Sequence, residues 1–139
     1  KIAQRLFHLK ELFDQREKID ILSKPSNGIY SMASLQHYPI GGGMLGEHSD
    51  PDNAIGGLHC LLCLSDRRKD YLKGGLFLRE NGTNKLFDVE DYWHSGDVIV
   101  FNSTQLRHGV NPVDPGKNFS WEQSKGRLIF SPVIVKETN

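Results

Sequence analysis

Apolar and polar positions fall into two regimes along the chain. Over residues 1–22, Ile2, Leu6, Leu9 and Phe13 recur at three- and four-residue steps with charged residues between them, which predicts an amphipathic helix. After Pro25 short apolar runs alternate with clusters of Gly, Asn, Asp and Pro. That texture predicts strands near 29–38, 45–50, 57–65, 75–80, 84–89, 97–102, 106–111 and 126–136. Glycine-rich or Asn/Asp-containing breaks at 41–43, 56–57, 74–75, 81–82, 95–97 and 114–116 separate them. A helix followed by about eight short strands predicts a mostly β sandwich or barrel, not alternating βαβ units. Residues 112–125 form the longest irregular stretch and carry Phe119 and Trp121; loops of this kind are often functional.

Composition narrows the field. A chain of 139 residues has the length of a single domain, expected to span 1–139, and can bury a core without disulfide staples. Lys plus Arg and Asp plus Glu both number 17. The balanced charge and lack of a basic run leave no footprint for nucleic acid or an anionic membrane. No apolar run reaches the roughly 18 residues of a membrane span, and no segment has the pattern of a signal peptide. Cys60 and Cys63 form a lone C-x-x-C inside the apolar run LHCLLCL. Without a second ligand pair or a βαβ context, this reads as two buried structural thiols. Free thiols point to a reducing compartment and hence to the cytoplasm.

The candidate chemistry begins at His48-Ser49-Asp50. On a strand, residues i and i+2 face the same side, which would place an imidazole and a carboxylate together. His108 lies on another predicted strand. Two histidines and a carboxylate are a donor set suited to iron(II), with positions left open for oxygen chemistry. In a chain with six histidines an H-x-D triplet arises by chance easily, so the triplet alone carries little. His37, His59 and His94 lack a carboxylate at two-residue spacing and are expected to be satisfied or surface histidines. His8 reads as surface, and strand alternation turns Arg107 away from His108. Gly42 and Gly43 read as turn formers.

The surroundings of the triplet add specificity. Y-P-x-G-G-G-x-L-x-x-H-x-D at 38–50, L-x-L-S-D-R at 62–67, G-G-L-F-L at 74–78, G-D-V-I-V-F at 96–101, H-G-V-N-P-V at 108–113 and G-R-L-I-F at 126–130 occur in an order and spacing that together resemble one family. It is the 2-oxoglutarate and iron(II)-dependent oxygenases, in their prolyl-hydroxylase-like branch, over about residues 30–135. The resemblance implies a double-stranded β-helix, or jelly roll, over about 29–136 behind the N-terminal helix. It implies that His48, Asp50 and His108 hold the metal and that Arg127 pairs with the far carboxylate of 2-oxoglutarate. A guanidinium fork suits that role because it meets a carboxylate bidentately. Tyr38 stands where relatives place a tyrosine hydroxyl beside the same carboxylate. One departure is the 19-residue step from His108 to Arg127, longer than in close relatives, which an insertion around 114–125 accounts for.

The activity so implied is oxidation of a substrate C–H bond, and a carboxylate at Asp50 favours hydroxylation, or another oxidation such as desaturation or ring closure. It consumes O2 and 2-oxoglutarate and releases succinate and carbon dioxide, with ascorbate as an activator. The substrate is expected to be a small molecule, since no peptide-binding module is recognisable, and Trp121 is a candidate substrate contact on a loop covering the open end of the barrel. Two other classes stay open: a cupin-like metal enzyme that does not use 2-oxoglutarate, and a non-catalytic metal- or ligand-binding barrel. The residues say nothing of oligomeric state.

Overall fold

The structure, a computed structural model, describes residues 1–14, 28–51 and 57–136. Helix α1 (Ile2–Asp14) precedes eight strands: β1 (Ile29–Pro39), β2 (Gly43–His48), β3 (Leu58–Cys63), β4 (Gly75–Glu80), β5 (Leu86–Asp88), β6 (Val98–Asn102), β7 (Leu106–Val113) and β8 (Gly126–Lys136). A single 3₁₀ turn, Val89–Asp91, follows β5. The strands form two four-stranded antiparallel sheets, ordered β1-β8-β3-β6 and β2-β7-β4-β5. Apart from the β4–β5 hairpin the chain crosses from one sheet to the other at every step, which is the winding of a jelly roll.

All eight expected strands are present, with bounds shifted by a few residues. The helix is present from Ile2, and the part of its expected span beyond Asp14 lies outside the described residues. Its buried face differs from the expected one. Leu6, Phe7, Lys10 and Glu11 are buried, whereas Ile2 and Phe13 are exposed. The helix packs mainly on β3, and Lys10 Nζ donates to the Leu58 carbonyl there. The long stem of a lysine covers apolar surface while its head reaches a polar partner, so the seam runs through Lys10 and past Phe13. No helix among the described residues is long and apolar enough to cross a membrane.

The core lies between the sheets. Leu61, Cys63, Leu76, Val89, Trp93, Phe101 and Ile129 form one cluster, and Tyr71, Val110 and Val113 a second. Cys60 and Cys63 are buried and form no disulfide among the described residues. Strands β1 and β8 pair without interruption, with Tyr38 opposite Arg127 and Gln36 opposite Ile129. Strands β2 and β7 pair irregularly. Leu45 stands opposite Val110 and His48 opposite His108, so three steps on β2 match two on β7. Bulges of this kind re-aim side chains, and here the shift sets His48 directly across from His108.

Candidate active site

His48 ends β2 and His108 lies near the start of β7, with ring centroids 4.3 Å apart. His48 Nδ1 donates to the Gly46 carbonyl at 2.8 Å, and His108 Nδ1 donates to the Leu106 carbonyl at 3.2 Å. A carbonyl can only accept, so each Nδ1 carries a proton, and in the neutral imidazole the lone pair is then on Nε2. Those Nε2 atoms lie 3.6 and 3.8 Å from Asp50 Oδ1. The three side chains bring their donor atoms within 4.8 Å of one another, a group that could hold a metal ion.

Strand alternation does not place Asp50. Strand β2 stops at His48, and Asp50 is fixed instead by its amide donating to Ser103 O at 2.9 Å and by His59 Nε2 donating to Asp50 Oδ2. Burial alone would raise the Asp50 carboxyl. The hydrogen bond and charge of His59, with Ser103 and His108, outweigh it and hold the group at about 2. It is therefore ionised at neutral pH. Burial likewise pushes the His108 imidazole below its ordinary value, against the pull of Leu106 O and Asp50, which keeps it neutral. Both are the protonation states that metal ligation requires.

His59 also adjoins the site, with its Nε2 satisfied by the Asp50 carboxylate. It sits on β3, stacked on Phe101 with centroids 5.6 Å apart and planes at 14°. Its partner carboxylate is nine residues away and reaches it across the gap between the sheets, a pairing that two-residue periodicity cannot reveal.

The site opens into a cavity of about 160 Å³ that runs between the sheets to Tyr38 and Arg127. Leu45, Leu61, Leu76, Phe101, Val110 and Ile129 supply its apolar walls, and Gln36 a polar one. Arg127 is only 1% exposed. Its guanidinium carbon lies 5.6 Å from the Tyr38 ring centroid and 5.3 Å from that of Trp93, cation–π contacts that offset part of the cost of burial. Its Nε donates to Glu90 Oε1 at 2.6 Å. Nη1 and Nη2 are buried and have no hydrogen-bond partner among the described residues. Buried donors in native structures are almost always paired, and two parallel N–H groups on one guanidinium edge are the complement of a carboxylate. Tyr38 Oη donates to Gln36 Oε1 at 2.8 Å. Burial raises the phenol above its ordinary value, against the lowering effect of Arg127, so it remains a neutral donor.

Glu90 was not singled out in the sequence, where it is one carboxylate in a polar run. Its Oε1 accepts from Arg127 Nε and from Leu76 N, both at 2.6 Å. Its Oε2 accepts from Tyr71 Oη and, at 3.0 Å, from Trp93 Nε1. Gly75 makes room for it: a Cβ there, at φ +118°, would fall 2.2 Å from Glu90 Cγ.

Trp121 is not brought to this cavity. It is 71% exposed and packs edge-on against Phe119, also exposed. Strand β7 runs away from His108 toward Val113, so residues 114–125 leave the sheet at the far end from His48. They are tied to the β1–β2 turn there. Gly41 N donates to Asp114 O, and Gln123 Nε2 donates to Ile40 O. Phe119 backbone sits where a Cβ on Gly41 would be, at 2.6 Å. Arg107 points outward, as alternation requires, and pairs with Glu47 at 3.1 Å.

No protein-family description and no curated protein matches the chain. Among solved structures the chain is similar to a prolyl-4-hydroxylase of Pseudomonas putida, with 20% identity and a TM-score of 0.56. The match covers 80% of this chain and 56% of that one, so the chain spans a little over half the length of that protein. At this identity the likeness is one of fold.

Proposed function

We propose that the protein is an iron(II)- and 2-oxoglutarate-dependent oxygenase that oxidises a C–H bond, by hydroxylation, in a small-molecule substrate. The observation that carries this reading is the buried Arg127, with Nη1 and Nη2 unpartnered among the described residues, at one end of a cavity whose other end is His48, Asp50 and His108. A cupin-like enzyme or a simple metal-binding barrel would need the three donors but not a buried guanidinium with its fork unsatisfied.

In this reading His48 Nε2, Asp50 Oδ1 and His108 Nε2 hold the metal, while the Gly46 and Leu106 carbonyls fix the two imidazole tautomers. His59 orients the Asp50 carboxylate by holding Oδ2, which leaves Oδ1 to the metal. Arg127 binds the far carboxylate of 2-oxoglutarate through Nη1 and Nη2, and Tyr38 lies beside it as a neutral hydroxyl. The apolar walls exclude water and strengthen these charge contacts. When bound, iron with 2-oxoglutarate supplies the oxidising chemistry, releasing succinate and carbon dioxide. The substrate approaches at the rim beside His48, 37% exposed, and Leu45, since the Arg127 end is closed. Incubating the protein with iron(II), ascorbate and 2-oxoglutarate should yield succinate, and metabolite pools containing the substrate should increase it. No succinate above a His108→Ala control would reject the reading.

A further inference from the structure

We infer that Glu90 is a positioning residue for co-substrate binding: it holds Arg127 by Nε so that both terminal nitrogens of the guanidinium face the cavity as a bidentate fork. The inference rests on the reading of Arg127 as the carboxylate anchor, and adds to it the group that aims the anchor. An arginine side chain has many rotamers, and nothing about a β8 position selects the one that presents Nη1 and Nη2 together. Glu90 makes that selection. It takes the Nε hydrogen at 2.6 Å, leaving the opposite edge of the planar group for a ligand.

Glu90 can do this because it is itself immobile. Four donors from four residues meet its two oxygens: Arg127, Leu76, Tyr71 and Trp93. The backbone at Glu90 is fixed by its own amide, which donates to Asp88 Oδ1 at 3.0 Å at the start of the 3₁₀ turn. Tyr38 and Trp93 bound the guanidinium through ring contacts at 5.6 and 5.3 Å. These contacts limit where the plane can lie, whereas the Glu90 bond sets which edge is left unpartnered. The pair also keeps the closed end formally neutral, so that end can fold without a ligand, and a buried Arg127 alone would be costly. The Glu90 role is therefore geometric as well as electrostatic, and two substitutions separate the components. Glu90→Gln keeps an acceptor oxygen for Nε and removes the charge, its amide nitrogen then facing Tyr71 Oη and Trp93 Nε1. Glu90→Asp keeps the charge and withdraws the oxygen by one methylene.

The test is calorimetric binding to the Mn(II)-loaded protein under argon, with 2-oxoglutarate and with 2-oxobutyrate. The two ligands share the metal-chelating end, and 2-oxobutyrate lacks the far carboxylate. The ratio of their affinities measures what the fork contributes, and damage to the fold would weaken both ligands and leave the ratio in place. The wild type should favour 2-oxoglutarate by about tenfold or more, as a charge-assisted contact implies. Glu90→Gln should keep that ratio or increase it, and Glu90→Asp should bring it close to one with 2-oxobutyrate binding unchanged. A Glu90→Asp protein with the wild-type ratio, or a Glu90→Gln protein that has lost it, overturns the inference while leaving Arg127 as the anchor. A wild type with no preference overturns the Arg127 reading itself.

Discussion

The two ends of the cavity are built on opposite principles. At the rim, His48 and Asp50 are partly exposed, and the donors His48 Nε2, Asp50 Oδ1 and His108 Nε2 are left over after every other polar atom of the three side chains has been given a partner from the sheets. At the closed end a cation is fully buried and one anion, Glu90, accepts one of its five N–H groups, the one on Nε. The rim is organised around a charge that has to arrive, and the closed end around a charge the protein already carries. A site can be left open to solvent when water can solvate its unused lone pairs. A buried guanidinium has no such recourse, so its unsatisfied edge indicates a ligand more directly than the partly exposed triad does.

The contrast can be broken at the rim first. Asp50→Ala should reduce Mn(II) or Fe(II) affinity by more than about a hundredfold, beyond the 10–100-fold typical of partners that only orient ligands; metal titration by calorimetry reads this directly. His59→Leu removes the group holding Asp50 Oδ2 and should weaken metal binding by about 10–100-fold while leaving the imidazole donors in place. If affinity is unchanged, the Ser103 contact is enough to orient Asp50.

Next comes the closed end. Arg127→Lys retains the charge but has neither Nε for Glu90 nor a fork for the ligand, and the 2-oxoglutarate dissociation constant should rise about tenfold or more, with metal affinity within twofold of wild type. Acid stability gives a smaller effect. Burial raises the Glu90 carboxyl, but Arg127, Tyr71, Trp93 and Leu76 N together hold it below its ordinary 4.5. The unfolded chain then takes up that proton first, so this contribution to stability is complete above about pH 4.5 and is lost as the pH falls through the folded value. Glu90→Gln should flatten the fall in denaturation midpoint below pH 4.5 relative to wild type. The smallest effect concerns the loop. Trp121→Ala should change stability by less than about 0.5 kcal/mol, as surface substitutions do, and leave both affinities alone. A drop in substrate oxidation with those unchanged would return Trp121 to the substrate path.

Much of this was legible in the sequence because it is periodic or spaced. Eight strands follow from the alternation of apolar runs and turn residues, and Tyr38 and Arg127 prove to be register partners on β1 and β8. The triad residues were legible as H-x-D and a later histidine, although the reason Asp50 faces its partners is a cross-sheet bond to His59 and not strand alternation. What was hidden is contact between elements remote in sequence. Glu90 lies 37 residues before Arg127 on a one-turn 3₁₀ segment with no pattern of its own. A trace of it is Gly75, whose missing side chain admits the carboxylate. The helix seam through Lys10 was hidden for a similar reason, since periodicity counts a lysine as outward whatever its stem covers.

The most direct test is a crystal structure of the protein grown anaerobically with Mn(II) and 2-oxoglutarate, with anomalous diffraction locating the metal. The account requires a peak bounded by His48 Nε2, Asp50 Oδ1 and His108 Nε2, and the far carboxylate of 2-oxoglutarate on Arg127 Nη1 and Nη2 with Glu90 still on Nε. A metal elsewhere, or a ligand whose far carboxylate lies away from Arg127, contradicts it.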